Sequence, residues 1–218
     1  MKTVAVFSGG LDSTTLVYHL LDANHEVKAL TVDYGQRHSR EIEAARRICE
    51  VVGIQQRVID LSGLAACFGH NALTDDSIGV PHGEYQESTM QDTTVPNRNM
   101  ILLSVAIGWA VAIKFDSVAF GAHTGEYTPY PDCRPEFASA MNDAARVCDW
   151  DPIEVLSPFV EWNKAGIVRR GTELDVPFEL TWSCYEGGKL HCGKCSTCLD
   201  RKQAFSKCSL VDPVAYSG

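Results

Sequence analysis

The sequence predicts an α/β protein in which a parallel sheet is covered by helices on both faces. Two observations indicate this fold class: short apolar runs alternate with segments of helical periodicity, and the connections between them are short. A third observation is a C-terminal segment rich in cysteine and glycine, which predicts a small metal-binding appendage. We expect one domain over residues 1–181 and a four-cysteine subdomain over residues 182–218 packed on it.

The composition limits the classes of partner. The chain has 218 residues, of which 45% are hydrophobic and 22% charged, as in ordinary soluble globular proteins. Its net charge of −9 argues against a nucleic-acid partner, because such proteins usually carry a basic face. The longest apolar stretch, residues 100–113, is too short to cross a membrane, and the N-terminus lacks the pattern of a signal peptide. We therefore expect a cytoplasmic protein without a membrane partner.

The first third of the chain predicts three strands and two helices in alternation. The first predicted strand is a short apolar run closed by Ser-Gly-Gly, which is typical of a buried parallel strand. Each predicted helix carries apolar residues at helical spacing, and glycine follows the second one. The strands are predicted at residues 4–7, 27–32 and 57–61, and the helices at residues 13–21 and 40–52.

Two irregular stretches interrupt this alternation. Residues 62–96 contain several glycines and prolines with little periodicity, and a connection of this length is usually a lid or a binding segment. Residues 121–134 follow a strand predicted at 117–120, and open α/β sheets bind ligands at the carboxyl ends of their strands. Further helices are predicted at residues 97–114, 135–147 and 164–172.

The hexapeptide Ser-Gly-Gly-Leu-Asp-Ser at residues 8–13 is the strongest candidate for a phosphate-binding loop. It follows the first predicted strand and opens the first predicted helix, where unpaired backbone N–H groups lie at the positive end of the helix dipole. Gly9 and Gly10 permit a tight turn, the two serines add hydroxyl donors, and Asp12 is a candidate magnesium ligand. The alternative is an ordinary strand-turn-helix connection with a Ser or Asp cap.

Four cysteines near the C-terminus have the spacing of a metal site. The pattern C-x7-C-x2-C-x2-C predicts a closed tetrahedral zinc site of structural type, formed by Cys184, Cys192, Cys195 and Cys198. An iron–sulfur cluster is the chemical alternative, and free cysteines or a disulfide are the others. His191 is adjacent to Cys192 and is a possible replacement for one thiolate.

Three further segments carry polar and aromatic residues where strands or loops end. They are residues 33–38 (DYGQRH), 95–99 (VPNRN) and 130–137 (YPDCRPEF). An Asp beside an aromatic ring suits a guanine-like edge, because the carboxylate accepts from N–H donors while the ring stacks. Each segment alone is equally compatible with a loop that caps a helix. Lys164 begins a predicted helix and could reach a phosphate, although a single helical lysine is more often solvated.

The hexapeptide resembles the SGGxDS signature of the PP-loop ATP pyrophosphatases. That family has an adenine-nucleotide α-hydrolase-like (Rossmann-like) fold and cleaves ATP to AMP and pyrophosphate. The order and spacing of SGGLDST, DYGQRH, VPNRN, YPDCRPEF, SCY…CGKCSTCLDR and the closing Asp212-Pro213…Tyr216 extend the resemblance across nearly the whole chain. Together they resemble the 7-cyano-7-deazaguanine synthase family, which makes the precursor of queuosine and archaeosine.

The resemblance implies a reaction that uses ATP twice. The carboxylate of 7-carboxy-7-deazaguanine becomes an acyl adenylate, ammonia displaces AMP to give an amide, and a second adenylation of the amide leads to the nitrile. The implied cofactors are ATP, Mg²⁺ and a structural Zn²⁺, and the implied assembly is a homodimer.

The resemblance also implies roles for individual residues. Asp12, Ser13 and Lys164 are the expected catalytic residues. The nucleotide is expected to contact Ser8, Gly9, Gly10, Leu11, Asp12, Ser13, Thr14 and Asp33, and the deazaguanine acid to contact Arg98, Tyr130, Asp132 and Arg134. Two stretches depart from the usual family pattern, residues 123–129 and residues 163–166.

Three other functions are compatible with parts of the sequence. One is a tRNA-modifying PP-loop enzyme, which would want the basic RNA-binding face that a net charge of −9 disfavours. Another is a zinc-ribbon interaction protein or a nucleotide sensor without turnover, which the intact loop and the long substrate segments disfavour. The third is a homologue that passes the activated deazaguanine acid to a different amine.

Overall fold

A five-stranded parallel sheet forms the centre of the protein. The computed structural model describes residues 1–124 and 130–217. The strands lie in the order β3-β2-β1-β4-β5, and every neighbouring pair is parallel. Their bounds are Lys2–Val6 (β1), Glu26–Asp33 (β2), Gln56–Asp60 (β3), Ser117–Ala119 (β4) and Glu154–Leu156 (β5).

Helices connect the strands and cover the sheet. The α-helices are Leu11–Asp22 (α1), Arg40–Val52 (α2), Glu87–Asp92 (α3), Arg98–Ala112 (α4), Pro135–Ala145 (α5), Lys164–Glu173 (α6) and Ser196–Lys207 (α7). Short 3₁₀ turns occur at Ser62–Cys67, Pro131–Cys133 and Phe178–Leu180. In the described part of the chain, no helix has the length and apolar character needed to cross a membrane.

The sheet separates two apolar layers. Successive residues of a strand point to opposite faces, so Val4 of β1 packs into one layer and Ala5 into the other. The first layer contains side chains from α4 and α5, such as Leu103 and Met141. The second contains side chains from α1, α2, α6 and α7. Both faces of the central strands are therefore buried. Strand β3 lies at the edge of the sheet, where Val58 is 42% exposed.

The predicted fold class is confirmed, and most elements lie within two residues of their predicted bounds. Three elements were not predicted from the sequence. Helix α3 lies within residues 62–96, which were interpreted as an irregular stretch. Strand β5 has only three residues, too few to show a periodicity. Helix α7 lies in the cysteine-rich segment, and its apolar residues are few. Ala204 and Phe205 of α7 nevertheless pack in the same apolar layer as side chains of α1 and α6. The division of the chain into two domains after residue 181 stays a prediction.

The strand order places a crevice between the ends of β1 and β4. The connections that leave these neighbouring strands run in opposite directions across the sheet, and α/β proteins bind ligands at such a point. The loop at residues 8–10 follows β1, and Gly121 follows β4 close to the first turn of α1. A Cβ atom at Gly121 would lie 3.4 Å from the backbone nitrogen of Ser13.

We predict that two helical glycines respond oppositely to alanine. In α6, a Cβ atom at Gly171 would overlap the ring of the buried Phe178 and lie 2.9 Å from Oγ1 of Thr15. Gly171→Ala should lower the free energy of unfolding by about 1–3 kcal/mol, because the core is overpacked. Gly108 in α4 has open space around that position, so Gly108→Ala should raise it by about 0.5–1 kcal/mol. Urea denaturation measures both, and equal effects would contradict the packing at Gly171.

Candidate active site

The loop between β1 and α1 depends on a glycine at position 9. Gly9 has a φ of +78°, in the left-handed region that favours glycine. A Cβ atom there would overlap the backbone of Ala45 and lie 2.7 Å from the carbonyl oxygen of Glu41, both in α2. The carbonyl oxygen of Gly9 also accepts a hydrogen bond from the backbone of Trp182 at 3.0 Å. The loop is thus in contact with α2 and with the C-terminal segment.

Hydroxyl groups shape the turn into α1. The Oγ atoms of Ser8 and Ser13 lie 3.1 Å apart, and the backbone N–H of Gly10 donates to Oγ of Ser8 at 3.3 Å. The hydroxyl of Thr14 donates to the carbonyl oxygen of Gly10 at 2.7 Å. The first N–H groups of α1 have no acceptor within the helix, so the turn presents donors for an anion.

A cavity of about 310 Å³ opens above this loop. The loop, the end of β4, Tyr34, α4 and the C-terminal segment all contribute to its lining. The sequence-predicted residues that line it are Ser8, Gly10, Leu11, Asp12, Ser13, Arg98, Tyr130 and Lys164. Residues far apart in the sequence therefore meet in one binding site.

Four charged or ionisable side chains meet at the loop end. The Nζ atom of Lys164 lies 3.4 Å from an Asp12 carboxylate oxygen and 2.9 Å from one of Asp200. The Nε2 atom of His123 lies 3.8 Å from the same Asp12 oxygen. The other oxygen of Asp12, Oδ1, is buried without a hydrogen-bond partner among the described residues.

The charges of this group stabilise one another. Burial would raise the pKa of Asp12, but Lys164 and His123 outweigh that effect and hold the pKa below its ordinary value. Burial would likewise lower the pKa of Lys164, but the carboxylates of Asp12 and Asp200 keep it well above the ordinary value. Burial lowers the pKa of His123. A carboxylate and an ammonium group are therefore both present near neutral pH.

Aromatic side chains and one arginine also line the cavity. Tyr85 and Tyr130 meet edge to face at 6.2 Å, and the hydroxyl of Tyr85 lies 3.4 Å from that of Tyr185. The guanidinium of Arg98 lies over the ring of Tyr34 at 5.9 Å. Burial would lower the pKa of Arg98, yet its surroundings keep the pKa above the ordinary value, so the group is cationic.

Glu41 adds a carboxyl group to the same cavity. It lies in the first turn of α2, beside the loop at Gly9. Burial raises the pKa of this carboxyl to about 7, although the positive charge of Arg98 acts in the opposite direction. The group therefore changes its charge close to neutral pH.

The four predicted metal ligands lie together. The sulfur atoms of Cys184, Cys192, Cys195 and Cys198 all lie within 4.8 Å of one another. Tetrahedral zinc with Zn–S bonds of about 2.3 Å places its sulfurs about 3.8 Å apart, so this cluster fits zinc after a small contraction. Backbone N–H groups point at the sulfurs, including those of Cys192 and Cys195 at 3.3 and 3.2 Å, and such donors stabilise thiolates.

His191, considered above as a replacement for one thiolate, makes a hydrogen bond and an aromatic contact through its ring. Its Nε2 atom accepts a hydrogen bond from the backbone of Ser183 at 3.1 Å, and its ring stacks on Trp182 at 4.4 Å. The cysteine cluster is also close to the cavity, because α7 begins at the cluster and carries Asp200. The metal-binding segment thus contributes directly to the site.

Several predicted site residues lie outside the cavity lining. Gly9 and Thr14 shape the loop from behind, as described above. Oδ1 of Asp33 accepts from the backbone of Gly35 at 3.0 Å. Oδ2 of Asp132 accepts from the backbone of Asn99 at 3.2 Å, and Arg134 is exposed at the start of α5. It stays a prediction that a ligand contacts Asp33, Asp132 and Arg134, which are not among the residues that line the cavity.

Two stretches depart from the family pattern, residues 123–129 and residues 163–166. Residues 125–129 lie outside the described residues. Asn163 caps α6 by accepting a hydrogen bond from the backbone of Gly166 at 2.9 Å. This cap fixes the start of the helix that presents Lys164, so the substituted sequence still orients the lysine toward the cavity.

The lining residues that sequence reasoning did not single out include Glu41, Asp200, Tyr85 and Tyr185. Asp200 and Tyr185 lie within the cysteine motif, which was interpreted only as a metal site. Glu41 is one of several charged residues in a polar helix, and nothing in the local pattern separates it from Glu43. Its burial arises from the contact with the loop at Gly9, which a linear pattern does not contain.

Solved structures of two synthetases have a similar fold. An NMN synthetase from Francisella tularensis matches with a TM-score of 0.52 and 12% identity, over 96% of this chain and 77% of its own. An NH₃-dependent NAD synthetase from Campylobacter jejuni matches with a TM-score of 0.50 and 15% identity, over 95% and 75%. At these identities the likeness establishes the fold alone.

Relatives in sequence are much closer. A 7-cyano-7-deazaguanine synthase of Psychromonas ingrahamii is 46% identical over 99% of this chain and 97% of its own length. One of Archaeoglobus fulgidus is 47% identical over 98% of this chain and 90% of its own. The profile of the family described as "Queuosine biosynthesis protein QueC" matches residues 2–209. The chain belongs to the QueC family.

Proposed function

We propose that this protein is an ATP-dependent ligase that converts 7-carboxy-7-deazaguanine and ammonia to 7-cyano-7-deazaguanine. The observation that carries the proposal is one cavity lined by two unlike groups of side chains. The loop and the cluster of Asp12, Lys164 and Asp200 suit phosphates, while Arg98 and the tyrosines suit a polar heterocycle. Relatives named 7-cyano-7-deazaguanine synthase, which have nearly the same length as this chain, support it.

The loop end suits transfer of an adenylyl group. Backbone donors of α1 and the serine hydroxyls hold the phosphates, and Lys164 stabilises the charge that develops when pyrophosphate leaves. The unpartnered Oδ1 of Asp12 fits a Mg²⁺ ligand, with Asp200 as a second carboxylate nearby. Bound magnesium would neutralise phosphate charge and favour the departure of pyrophosphate.

Two adenylations account for the nitrile. A carboxylate oxygen of the substrate attacks the α-phosphate, and ammonia then displaces AMP to give the amide. The amide oxygen attacks a second ATP, and loss of AMP together with the remaining N–H protons leaves the carbon–nitrogen triple bond. Amide dehydration needs the oxygen to become a good leaving group, which adenylation provides, so the same loop serves both steps.

The proposal also covers the metal ion, the cellular location, the class of substrate and the oligomeric state. The cysteine cluster holds a structural zinc ion, since four thiolates leave no open position for water. The protein works in the cytoplasm on small molecules, and the net charge of −9 disfavours a nucleic-acid substrate. A homodimer is part of the proposal, and the exposed side chains of Val147 and Trp150 offer apolar surface for it.

Mass spectrometry of a reconstituted reaction tests the function. The purified protein is incubated with Mg-ATP, ammonium and 7-carboxy-7-deazaguanine. The expected products are the nitrile, AMP and pyrophosphate. Absence of both nitrile and AMP would refute the proposal. AMP release with a product conjugated to a different amine would indicate the acyl-transfer alternative instead.

The charge of Asp12 should be essential for adenylation. Asp12→Asn keeps the size of the side chain but removes the carboxylate that faces Lys164, so we expect kcat for AMP release to fall by about 10²–10³-fold. Asp22→Asn at the other, exposed end of α1 is the matched control and should keep kcat within a factor of about two. Equal activity of the two variants would refute the role of Asp12.

Loss of zinc should destabilise the fold and disturb the active site together. Cys198→Ser removes one thiolate from the helix that carries Asp200, so bound zinc should fall from about one ion per chain. We expect the stability to fall by at least about 3 kcal/mol, or about 6–12 °C in Tm. Cys148→Ser, at an exposed cysteine, is the control. Bound iron with visible absorbance would refute the zinc assignment.

A further inference from the structure

The carboxyl group of Glu41 has no assigned partner in the cavity. Three carboxylates line the described part of it, those of Asp12, Glu41 and Asp200. Lys164 forms ion pairs with two of them, Asp12 and Asp200. Among the described residues Glu41 forms no ion pair within 4.0 Å, and the arginine whose charge acts on it most is Arg98. Glu41 is therefore the acidic group left available to a ligand.

The surroundings of Glu41 favour a flat, polar ligand. The ring of Tyr34 and the guanidinium of Arg98 lie on the same side of the cavity, and Tyr185 completes the wall. A carboxylate, a guanidinium and aromatic rings together provide acceptors, donors and stacking surface. The contact between α2 and Gly9 fixes the backbone of Glu41 beside the cavity before a ligand binds.

Asp132, which the sequence suggests for the same role, is occupied elsewhere. Its Oδ2 atom accepts a hydrogen bond from the backbone N–H of Asn99 in the first turn of α4, and it does not line the cavity. The charge of Asp132 acts on Arg98, whose pKa it helps to raise. The acceptor for a heterocycle has to come from a different element, and α2 supplies it.

We propose that Glu41 accepts hydrogen bonds from the ring N1–H and the 2-amino group of the deazaguanine, while Arg98 donates to its 6-oxo oxygen. This inference rests on the function proposed above. The two donors lie side by side on the heterocycle and match the two oxygens of a carboxylate. Adenine has an acceptor at N1, so an ionised Glu41 repels it. The pair thus directs the deazaguanine to this end of the cavity and ATP to the loop.

The proposal has a pH signature. Two N–H donors need the ionised carboxylate, and the pKa of Glu41 lies at about 7 in the empty cavity. Below that pH the free enzyme holds a proton on Glu41, which must be lost for binding. The KM for the deazaguanine acid should therefore rise by up to about tenfold per pH unit as the pH falls below 7. The same dependence should be absent in Glu41→Gln.

Discrimination against a substrate without the 2-amino group tests the proposal. AMP release is measured with 7-carboxy-7-deazaguanine and with 7-carboxy-7-deazahypoxanthine. The wild-type protein should prefer the first by at least about 100-fold in kcat/KM, because the analogue leaves a carboxylate oxygen unpaired. Glu41→Gln should reduce the preference to below about tenfold through a higher KM for the deazaguanine, with KM for ATP unchanged.

Two further variants separate recognition from folding. Glu43 lies two residues further along the same helix and is half exposed. Glu43→Gln should keep the wild-type preference for the substrate with the 2-amino group. Glu41→Asp keeps the charge and should retain more of the preference than Glu41→Gln. A wild-type preference in Glu41→Gln, or an increase in KM for ATP instead, would overturn the assignment of Glu41. Absence of AMP release by the wild-type protein would instead refute the proposed function itself.

Discussion

The architecture of the site depends on the close contact between the backbone at Gly9 and the first turn of α2. No side chain fits at position 9, because a Cβ atom would overlap Ala45 and approach the carbonyl oxygen of Glu41. The contact brings the carboxyl of Glu41 into the same cavity as Asp12. The carbonyl of Gly9 also accepts a hydrogen bond from Trp182, so three distant parts of the chain meet at this residue.

The cysteine segment contributes more to the site than a closed metal centre would suggest. Cys198 and Asp200 are on the same helix, and Asp200 forms the ion pair that holds Lys164 next to Asp12. The metal ligands therefore fix the start of the helix that orients this lysine. In the proposed function the zinc ion takes no part in the chemistry, yet it would position a group that does.

Features with a local signature could be predicted from the sequence, and features created by tertiary contact could not. The loop at residues 8–13 and the four cysteines were found because glycine, hydroxyl and thiol groups at fixed spacing have few other uses. The apolar strands followed from burial on both faces. Glu41 and Asp200 have ordinary charged neighbours in sequence, and only the fold makes them part of the cavity. The ligand contact that its motif suggests for Asp132 stays a prediction, and in the structure its carboxylate accepts a hydrogen bond at the start of α4.

The fate of the substrate's carboxylate oxygens tests the central claim, that one cavity performs two successive adenylations. The acid is labelled with ¹⁸O at both oxygens and converted with Mg-ATP and ammonium, and AMP and nitrile are analysed by mass spectrometry. The account predicts two AMP molecules for each nitrile, each with one labelled oxygen. One AMP per nitrile, or label found in pyrophosphate or released as water, would contradict it.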